Sequence, residues 1–494
     1  MELPEGPRAS CRGGKASSVR QAPILGMEAQ RIKCIYFLAV CGTAMASLAA
    51  LLKQMGYHVY GSDSGVYPPM STFLQEQGIP VFDGFDPAHL DPAPDLVVVG
   101  NVISRGNVEL EELLDRHIPY ISLPDALREF CIRGRRSVVI TGTHGKTTTS
   151  ALLAWMLEQA GRQPSFLIGG IPNNFGRGFQ WGAGSEIVLE GDEYDSAYFD
   201  KTAKFLHYLP DIGVINHIEF DHADIYTSLD EIALAFRRFV NLIPRSGLLA
   251  ACFDFDQVRE VCRKAFCLVR SFGLGKENAW RACDIEQTDR GQNMSVIKEG
   301  RLFARVFIPL FGDHNIRNSL AAMVVADHLG LSADQIQDSL ATFANVRRRL
   351  ELKGEAGGVQ VYDDFGHHPT AIRETLAGFR RLHPDRRIWA LFEPRTATTR
   401  RSIFQNEMIE AFQDADCVLV SAVDRPDKAP AGQVFSSEQL ASDLGRLHKQ
   451  AFYIETVDAM VDFLKHRLQP GDVVITFSNG FFGGIHQKLL NALT

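Results

Sequence analysis

The sequence predicts an α/β protein of three domains, because three separate stretches each open with a strand of the buried type. These stretches begin near residues 33, 137 and 359. Within each stretch, short continuous apolar runs alternate with helical patterns, which is typical of a doubly wound parallel sheet covered on both faces. The chain contains no fixed-period repeat, and this argues against a solenoid.

We expect domain borders at residues 27–136, 137–343 and 344–494, with outer domains that are Rossmann-like. In the first domain, the pattern predicts strands at 33–40, 59–63 and 95–100 and a helix at 44–55. In the second, it predicts strands at 137–141, 186–190 and 211–216, shorter mixed strands within 245–310, and helices at 147–161, 315–329 and 333–343. In the third, it predicts strands at 359–364, 387–392, 416–421, 451–455 and 472–477.

The composition is that of an ordinary globular protein, with 45% apolar and 22% charged residues among 494. A net charge of −8 gives a nucleic-acid partner no electrostatic support, and no apolar run approaches the length of a membrane span. Nine cysteines without a CxxC pair indicate free thiols, so we expect a cytoplasmic location. Residues 1–26 lack the apolar core of a secretory signal. We expect them to be a disordered tail, or an upstream start ahead of a true start at Met27.

The sharpest motif is TGTHGKTTTS at residues 141–150, where a predicted strand runs into a glycine-containing loop and then a helix. Backbone N–H groups of such a loop point at phosphate oxygens, and the helix N-terminus adds positive potential. Gly142 and Gly145 suit a backbone that approaches an anion closely. Lys146 is placed to reach the β- and γ-phosphates of a nucleotide, and the Thr147 hydroxyl is placed to bind Mg²⁺. The loop is shorter than the usual GxxxxGK[ST], but its context still predicts a central domain of the P-loop ATPase type.

Two acidic clusters follow at the ends of predicted strands. They are EGDEYD at residues 190–195 and NHIEFDHAD at residues 216–224. Ligands of an open α/β sheet bind at the carboxyl ends of its strands, so both clusters should face the phosphate loop. Carboxylate oxygens suit Mg²⁺, and an imidazole can complete the shell. Taken alone, each cluster is more typical of a solvated strand end than of a metal site. Beside a phosphate loop, the two clusters together predict a metal site.

Six motifs in one order resemble the Mur ligases of peptidoglycan synthesis. They are GTHGKTTT (142–149), EGDEYD (190–195), NHIEFDHAD (216–224), FGDHNIRNS (311–319), NVRRRLE (345–351) and YDDFGHHPTA (362–371). The resemblance covers nearly all of residues 27–494. It implies a ligase dependent on ATP and Mg²⁺ that activates a carboxylate as an acyl-phosphate and captures it with an amine.

The resemblance also implies roles for individual residues. The phosphate loop would contact the nucleotide through Gly142, Thr143, His144, Gly145, Lys146, Thr147 and Thr148. The adenine would be held by Asn315 and Asn318, with His314 beside them. The catalytic positions would be Lys146, Glu193, His222 and Arg348, the last lying near the phosphates and the acyl-phosphate. The metal ligands would be Thr147, Glu193 and His222, and the UDP-sugar site would include Gly42, Thr43 and Asp63.

Three segments carry a finer resemblance, to the branch of the family that attaches the tripeptide L-alanyl-γ-D-glutamyl-meso-diaminopimelate to UDP-N-acetylmuramate. They are GGIPNNF (169–175), EPR (393–395) and SNGFFGGIHQKLL (478–490). We therefore expect both molecules as substrates of a monomeric enzyme without nucleic-acid or membrane partners. Further substrate contacts are expected from Asn173, Asn174, His367, His368, Arg395 and Asn479.

Several alternatives remain open from the sequence alone. The L-alanine-adding branch of the family shares the segment YDDxxHHPT and the chemistry. A folate polyglutamylating ligase shares the phosphate loop but lacks a UDP-sugar domain, and a non-catalytic nucleotide-binding regulator would not need the intact site. Asn315 and Asn318 also suit helix capping, His367 and His368 a surface position, and the arginines at 347–349 a solvated cationic face. Ala39 departs from the family pattern, which commonly has Gly there.

Overall fold

A computed structural model of the chain describes residues 32–67 and 70–494. The tail or upstream start expected at residues 1–26 lies outside these residues. Sheets of five, ten and six strands, together with a two-stranded ribbon, organise the described chain. The predicted α/β class with three domains is confirmed, whereas the borders drawn between the domains stay a prediction.

The first sheet is parallel throughout and has the strand order β3-β2-β1-β4-β5. Its strands are β1 (Cys34–Leu38), β2 (His58–Asp63), β3 (Val81–Asp83), β4 (Leu96–Val99) and β5 (Tyr120–Ser122). Its helices are α1 (Thr43–Gln54), α2 (Met70–Glu76), α3 (Val108–Asp115) and α4 (Leu123–Leu127). The order reverses between β1 and β4, and ligands of doubly wound sheets bind at such a switch point.

The central sheet has ten strands in the order β17-β16-β15-β14-β13-β12-β6-β9-β7-β8. The strands of this part of the chain are β6 (Arg136–Thr141), β7 (Ser165–Leu167), β8 (Phe179–Gln180), β9 (Glu186–Glu190), β10 (Asp195–Ala197), β11 (Asp200–Ala203), β12 (Ile212–Ile215), β13 (Leu248–Cys252), β14 (Leu268–Gly273), β15 (Trp280–Thr288), β16 (Gly291–Lys298) and β17 (Arg301–Ile308). The helices are α5 (Lys146–Gln159), α6 (Leu229–Leu242), α7 (Asp256–Cys262), α8 (Asp313–His328) and α9 (Ala333–Ala341). Strands β10 and β11 form the separate ribbon.

Within 245–310, the expected mixed pairing is confirmed, but the expectation of shorter strands is wrong for the second half of that range. Strands β15, β16 and β17 are 9, 8 and 8 residues long and pair antiparallel, which widens the central sheet. The second half of β15 is largely exposed. A strand that is solvated over part of its length lacks the continuous apolar run by which buried strands are recognised.

The third sheet has the order β18-β19-β23-β20-β21-β22 and is parallel apart from its antiparallel edge strand β18. Its strands are β18 (Glu351–Ala356), β19 (Val359–Asp364), β20 (Ile388–Phe392), β21 (Cys417–Val420), β22 (Gln450–Tyr453) and β23 (Val473–Phe477). Its helices are α10 (Pro369–Leu382), α11 (Glu407–Ala411), α12 (Ser437–Arg446), α13 (Val457–Lys465) and α14 (Ile485–Leu493). Strand β18 was not predicted, because its sequence ELKGEA is polar and none of its residues is fully buried.

No helix in the described parts of the chain combines the length and the apolarity that crossing a bilayer requires.

Candidate active site

The loop between β6 and α5 is fixed by the protein beneath it. Gly145 has a φ of 79°, and a Cβ atom at this position would lie 2.1 Å from Asn318 Oδ1. Gly142 has a φ of 123°, and a Cβ there would lie 2.9 Å from the backbone of His217. The Thr143 N–H donates to the His217 carbonyl at 2.7 Å. Both glycines are therefore required by close contacts behind the loop, independently of an anion in front of it.

Lys146 is the first residue of α5, and its side chain crosses the loop to the acidic cluster. The ammonium donates to the Gly142 carbonyl at 2.8 Å and to Glu193 Oε2 at 2.7 Å. Burial alone would lower the pKa of Lys146, but the carboxylates of Glu193 and Asp192 outweigh it and raise the pKa. The loop therefore holds a permanent positive charge where the terminal phosphates of a nucleotide are expected.

Asp192, Glu193 and His222 form a cluster in which the ligand atoms all lie within 4.8 Å of one another. Glu193 Oε2 is 3.8 Å from His222 Nε2. Glu193 Oε1 is buried and has no hydrogen-bond partner within the described part of the chain. A buried carboxylate oxygen without a partner is costly unless a ligand satisfies it, so these residues fit a divalent cation such as Mg²⁺. The geometry adds Asp192 to Glu193 and His222, which are two of the three ligands expected from the resemblance.

Thr147, expected to bind the metal, is hydrogen-bonded to a neighbouring carboxylate in this structure. It is buried, and its hydroxyl donates to Glu190 Oε1 at 2.8 Å. Glu190 Oε2 accepts from the Gly169 N–H at 2.7 Å, so this carboxylate ties α5 to the 169–175 segment. Because the hydroxyl donates its proton to Glu190, an oxygen lone pair is still available for a cation, and the role of Thr147 as a metal ligand stays a prediction. Thr148 is also buried at the start of the helix.

The expectation for Arg348 is corrected by its contacts. Its guanidinium donates to Asp363 Oδ2 at 2.9 Å and to the carbonyls of Ser478 and Gly480 at 2.7 Å each. These bonds hold it inside the third sheet. Arg349, the next residue, instead donates to Thr147 Oγ1 at 3.4 Å. Arg349 is thus the arginine of this run that reaches the phosphate loop, and a run of three arginines gave no means of telling them apart.

The two adjacent histidines before α10 have different environments. His368 is buried; its Nδ1 accepts from the Thr370 N–H and its Nε2 donates to the Phe220 carbonyl, both at 3.2 Å. Neither nitrogen remains free, so His368 caps α10 and contacts the central domain; a surface position is wrong for it. His367 Nδ1 donates to the Phe365 carbonyl at 3.2 Å, which leaves the Nε2 lone pair available. Burial lowers the pKa of His367 and favours this neutral form.

The residues expected around the adenine lie at the start of α8. Asn315 Nδ2 donates to the Phe311 carbonyl at 2.8 Å, and Asn318 Nδ2 donates to Asn315 Oδ1 at 3.2 Å. Asn318 is buried behind the phosphate loop. The helix is preceded by Gly312 without a side-chain cap, so the capping alternative for the two asparagines is wrong. His314 Nδ1 is buried without a hydrogen-bond partner among the described residues.

Asn173 and Asn174, expected to contact substrate, use their side chains within the chain itself. Asn174 Nδ2 donates to the Thr342 carbonyl at 3.0 Å, and Asn174 Oδ1 accepts from the Ala344 N–H at 2.8 Å. Asn173 Nδ2 donates to the Ala344 carbonyl at 2.9 Å. These bonds fasten the 169–175 segment to residues 342–344, which lead into the third sheet. The expected substrate contact of Asn173 and Asn174 stays a prediction. The Arg347 N–H extends the pairing, since it donates to the Ile171 carbonyl at 3.0 Å.

The expected UDP-sugar residues surround the turn after β1. Asp63 Oδ2, at the end of β2, accepts from the Cys41 N–H at 2.7 Å and holds the turn. Gly42 and Thr43 are exposed where α1 begins, so their backbone is open to a ligand. Ala39 has a φ of 70°, a conformation that costs a non-glycine residue roughly 1–2 kcal/mol. This explains why Gly suits the position.

Arg395 and Asn479 lie together at the carboxyl ends of β20 and β23. A Cβ atom on Gly480 would lie 1.9 Å from Arg395 Nη1, so the guanidinium rests against the backbone of the 478–484 loop. The nearest carboxylate oxygens, on Glu393 and Asp424, are 3.7 and 4.0 Å away. Asn479 Oδ1 is buried without a hydrogen-bond partner in the described chain. Both groups retain unused hydrogen-bonding capacity.

The third sheet also holds the segment that carries His222, a contact that the sequence did not reveal. Thr398 donates to Asp221 Oδ1 at 2.9 Å, and Arg401 donates to the Ala223 carbonyl at 2.5 Å. His222 itself has a φ of 54°, and its N–H is bonded to Asp221 Oδ1 at 2.7 Å. The position of this metal-ligand candidate therefore depends on the loop after β20. No local motif marks such a contact, because 177 residues separate Asp221 from Thr398.

Two buried imidazoles are expected to make the fold sensitive to acid. Burial lowers the pKa of His217 to about 3 and that of His368 to about 4. Both are neutral in the fold, whereas the unfolded chain protonates them near pH 6.5. Their contribution to the free energy of unfolding is therefore complete above about pH 6.5. Below that pH, the free energy of unfolding falls by about 1.4 kcal/mol per pH unit for each imidazole.

This dependence can be checked from the melting temperature measured between about pH 7.5 and 5. The decrease should be steeper in the unmodified chain than in a His217→Phe variant, whose ring can keep the stacking on Phe255 without titrating. Equal slopes would contradict the assignment of His217 as a neutral buried imidazole.

Profiles of known protein families match three consecutive parts of the chain. The profile described as Mur ligase family, catalytic domain, matches residues 34–135. The Mur ligase middle domain matches residues 140–326, and the Mur ligase, glutamate ligase domain, matches residues 348–480. The first and third matches each contain one sheet, and the middle match covers the central sheet from residue 140, within β6.

Full-length relatives agree with these matches. A UDP-N-acetylmuramate–L-alanyl-gamma-D-glutamyl-meso-2,6-diaminoheptandioate ligase of Haemophilus influenzae is 40% identical over 94% of this chain and 99% of that protein. A UDP-N-acetylmuramate–L-alanine ligase of Symbiobacterium thermophilum is 34% identical over 93% of this chain and 94% of that protein. The crystal structure of a murein peptide ligase from Psychrobacter arcticus superposes with a TM-score of 0.70 at 34% identity, covering 93% of this chain and 98% of that one. The chain therefore belongs to the Mur ligase family of ATP-dependent amide ligases.

Proposed function

We propose that the chain joins L-alanyl-γ-D-glutamyl-meso-diaminopimelate to the lactyl carboxylate of UDP-N-acetylmuramate, with conversion of ATP to ADP and phosphate, in the recycling of peptidoglycan. The observation that carries this proposal is the 40% identity, over 94% of the chain, to a relative named for that tripeptide. The relative named for L-alanine is 34% identical. Addition of L-alanine alone is therefore the second candidate function.

The reaction begins with a carboxylate, which is a poor acylating agent. Its attack on the γ-phosphate of ATP gives an acyl-phosphate and ADP. The L-alanyl amine then adds to the acyl carbon, and phosphate leaves as the amide forms. Lys146 contacts the Gly142 carbonyl and Arg349 contacts the Thr147 hydroxyl, so both place positive charge at the phosphate loop, where fixed positive charge lowers the barrier to phosphoryl transfer.

Mg²⁺ is part of the proposal, with Asp192, Glu193 and His222 as the residues that would hold it. When bound, such an ion offsets the charge on the phosphate oxygens. The ion pair between Lys146 and Glu193 then serves to keep the loop and the acidic cluster at a fixed separation before the substrates arrive.

Formation of the amide requires a base, because the incoming amine arrives as an ammonium ion. His367 is the better candidate of the two adjacent histidines: its Nε2 has no hydrogen-bond partner among the described residues, whereas both nitrogens of His368 are already bonded. His367 Nδ1–H donates to the Phe365 carbonyl, which fixes the tautomer that a base requires.

The direct experiment is an acceptor panel with UDP-N-acetylmuramate, ATP and Mg²⁺. L-alanine, the dipeptide, the tripeptide and the tetrapeptide are compared, and each product is identified by mass. We expect the tripeptide to give the highest kcat/KM. A higher kcat/KM with L-alanine would refute the proposed acceptor and establish the second candidate function.

Arg395→Ala is expected to raise the KM for the tripeptide at least about tenfold and to leave the KM for ATP nearly unchanged. The Arg395 guanidinium, at the edge of the third sheet, forms no hydrogen bond within residues 32–67 and 70–494 and therefore suits a peptide carboxylate. Such charged hydrogen bonds contribute about 1.5–3 kcal/mol. Steady-state kinetics with each substrate varied in turn measure both constants. Arg446→Ala, at an exposed position of α12, is the matched control. An equal rise in both KM values would contradict a peptide-binding role.

We further infer a cytoplasmic location and a monomeric state. The eight cysteines in the described part of the chain are all free thiols, which suits a reducing compartment. For the monomeric state, the support is that each substrate site can be assigned to residues of one chain. Size-exclusion chromatography with light scattering measures that state directly.

A further inference from the structure

We infer that His144, His217 and Glu219 form a second metal site, separate from the Asp192–Glu193–His222 cluster, that takes a first-row transition metal such as Zn²⁺. The site lies at the tip of the phosphate loop, where His144 meets the segment that follows β12. Nothing in the proposed reaction requires a metal there, so the inference goes beyond the proposed function.

The ligand atoms are already close together. His144 Nε2 is 2.7 Å and His217 Nδ1 is 3.7 Å from the same oxygen, Glu219 Oε2. All three ligand atoms lie within 4.8 Å of one another. In a tetrahedral zinc site with bonds of about 2.1 Å, neighbouring ligand atoms are about 3.4 Å apart. Small side-chain rotations therefore suffice to assemble three ligands and leave the fourth position to water.

The side chains around the site hold two of its ligands in place. The His217 ring stacks on Phe255, with 3.6 Å between ring centroids and an angle of 17° between the planes. Glu219 Oε1 accepts from the Thr370 hydroxyl at 3.0 Å, which leaves Oε2 facing the two imidazoles. Partners of this kind orient metal ligands in known sites. His368 is nearby but is not a ligand, because its Nδ1 is occupied by the Thr370 N–H.

The protonation states also favour a metal ion. Burial lowers the pKa of His217 to about 3, so its imidazole is neutral at physiological pH. Burial opposes ionisation of Glu219, but the hydrogen bond from His144 outweighs it and lowers the pKa of this carboxyl to about 2. A neutral imidazole and an ionised carboxylate are the forms that coordinate metals.

The donor set distinguishes the two clusters. Two imidazoles and one carboxylate are typical ligands of Zn²⁺, with three protein ligands and one open position. The Asp192–Glu193–His222 cluster has two carboxylates and one imidazole, which suits the harder Mg²⁺ better. A metal ion held by His144, His217 and Glu219 would also tie the tip of the phosphate loop to the segment at 217–219.

The test is a titration of the nucleotide-free, full-length chain with Co²⁺, which replaces Zn²⁺ and shows intense visible absorption in tetrahedral sites. Excess Mg²⁺ is present to occupy the Asp192–Glu193–His222 cluster. We expect one tightly bound Co²⁺ per chain, displaced by Zn²⁺. His217→Phe should weaken binding by at least about 100-fold, since loss of a residue that only orients a ligand already costs about 10- to 100-fold. His222→Ala, in the other cluster, should leave the affinity nearly unchanged.

The melting temperature without metal shows whether His217→Phe is folded. Glu219→Gln, which keeps the bond with Thr370, is a second variant that should also weaken Co²⁺ binding. Absence of tetrahedral Co²⁺ absorption in the unmodified chain would overturn the inference, because the three residues would then form a hydrogen-bond network only. Loss of binding in His222→Ala instead of His217→Phe would overturn it as well, by placing the ion in the other cluster.

Discussion

Replacing Lys146 by alanine is expected to lower kcat by about 10³-fold or more, the largest effect of any substitution considered. Removal of one preorganised donor to a developing charge typically costs 10²- to 10³-fold in rate, and Lys146 is both a donor and a full charge. The variant also leaves Glu193 buried without its ion-pair partner, with Glu193 Oε1 already unsatisfied. Some loss of stability is therefore expected in addition to the loss of rate.

The measurement is phosphate release with saturating UDP-N-acetylmuramate, tripeptide and ATP. Melting temperature is recorded alongside, and Lys146→Met provides a variant that retains most of the side-chain volume. The matched control is Lys201→Ala, because Lys201 pairs with Asp195 at a largely exposed position. A folded Lys146→Ala variant with a near-normal rate would refute the role of the loop in phosphoryl transfer.

Arg349→Ala is expected to lower kcat by about 10²- to 10³-fold with little change in melting temperature. Its guanidinium faces the phosphate loop at Thr147, where a positive charge stabilises the transferring phosphoryl group. Arg348→Ala should have the opposite profile, with a clear decrease in melting temperature. Loss of Arg348 breaks its ion pair with Asp363 and leaves the carbonyls of Ser478 and Gly480 without their donor.

The pair of variants forms a matched comparison, because adjacent arginines of the same run are truncated in the same way. Rate and melting temperature are measured for both under identical conditions. If Arg348→Ala lost the larger share of kcat while Arg349→Ala lost only stability, the assignment drawn from the contacts would have to be reversed.

The sequence was sufficient to predict the parts of the fold that depend on local pattern. Buried parallel strands are continuous apolar runs, so β9 and β19 were predicted at their observed borders. The strand–loop–helix context of Lys146 identified the phosphate loop for the same reason. Strand β18 was missed because a polar edge strand gains its stability from pairing with β19, and that pairing leaves no apolar pattern.

The candidate site was predicted less completely, because side-chain direction depends on tertiary contacts. The sequence offers no difference between Arg348 and Arg349, which are adjacent residues of the same type. Only the backbone conformation directs the Arg348 side chain to the third sheet and the Arg349 side chain to the phosphate loop. Asn173 and Asn174 were expected as substrate contacts because their segment, residues 169–175, carries the finer resemblance. The bonds of their amides to Thr342 and Ala344 could not be predicted, because they depend on how residues 342–344 pack.

Asn174 fixes the linker between the central and third domains, residues 342–347, and this affects how the two domains can move. Up to Arg347 this linker is hydrogen-bonded to the central domain, whereas the Arg348 side chain is bonded to the third sheet. The chain therefore passes from the central domain to the third domain at residues 347–350. Arg348 and Leu350 have φ values of 60° and 47° there, which bends the backbone sharply. Any movement of the third domain relative to the central domain would bend the chain at these residues. Arg349 lies within this hinge and contacts Thr147, whereas Arg395 lies in the third domain and would move with it.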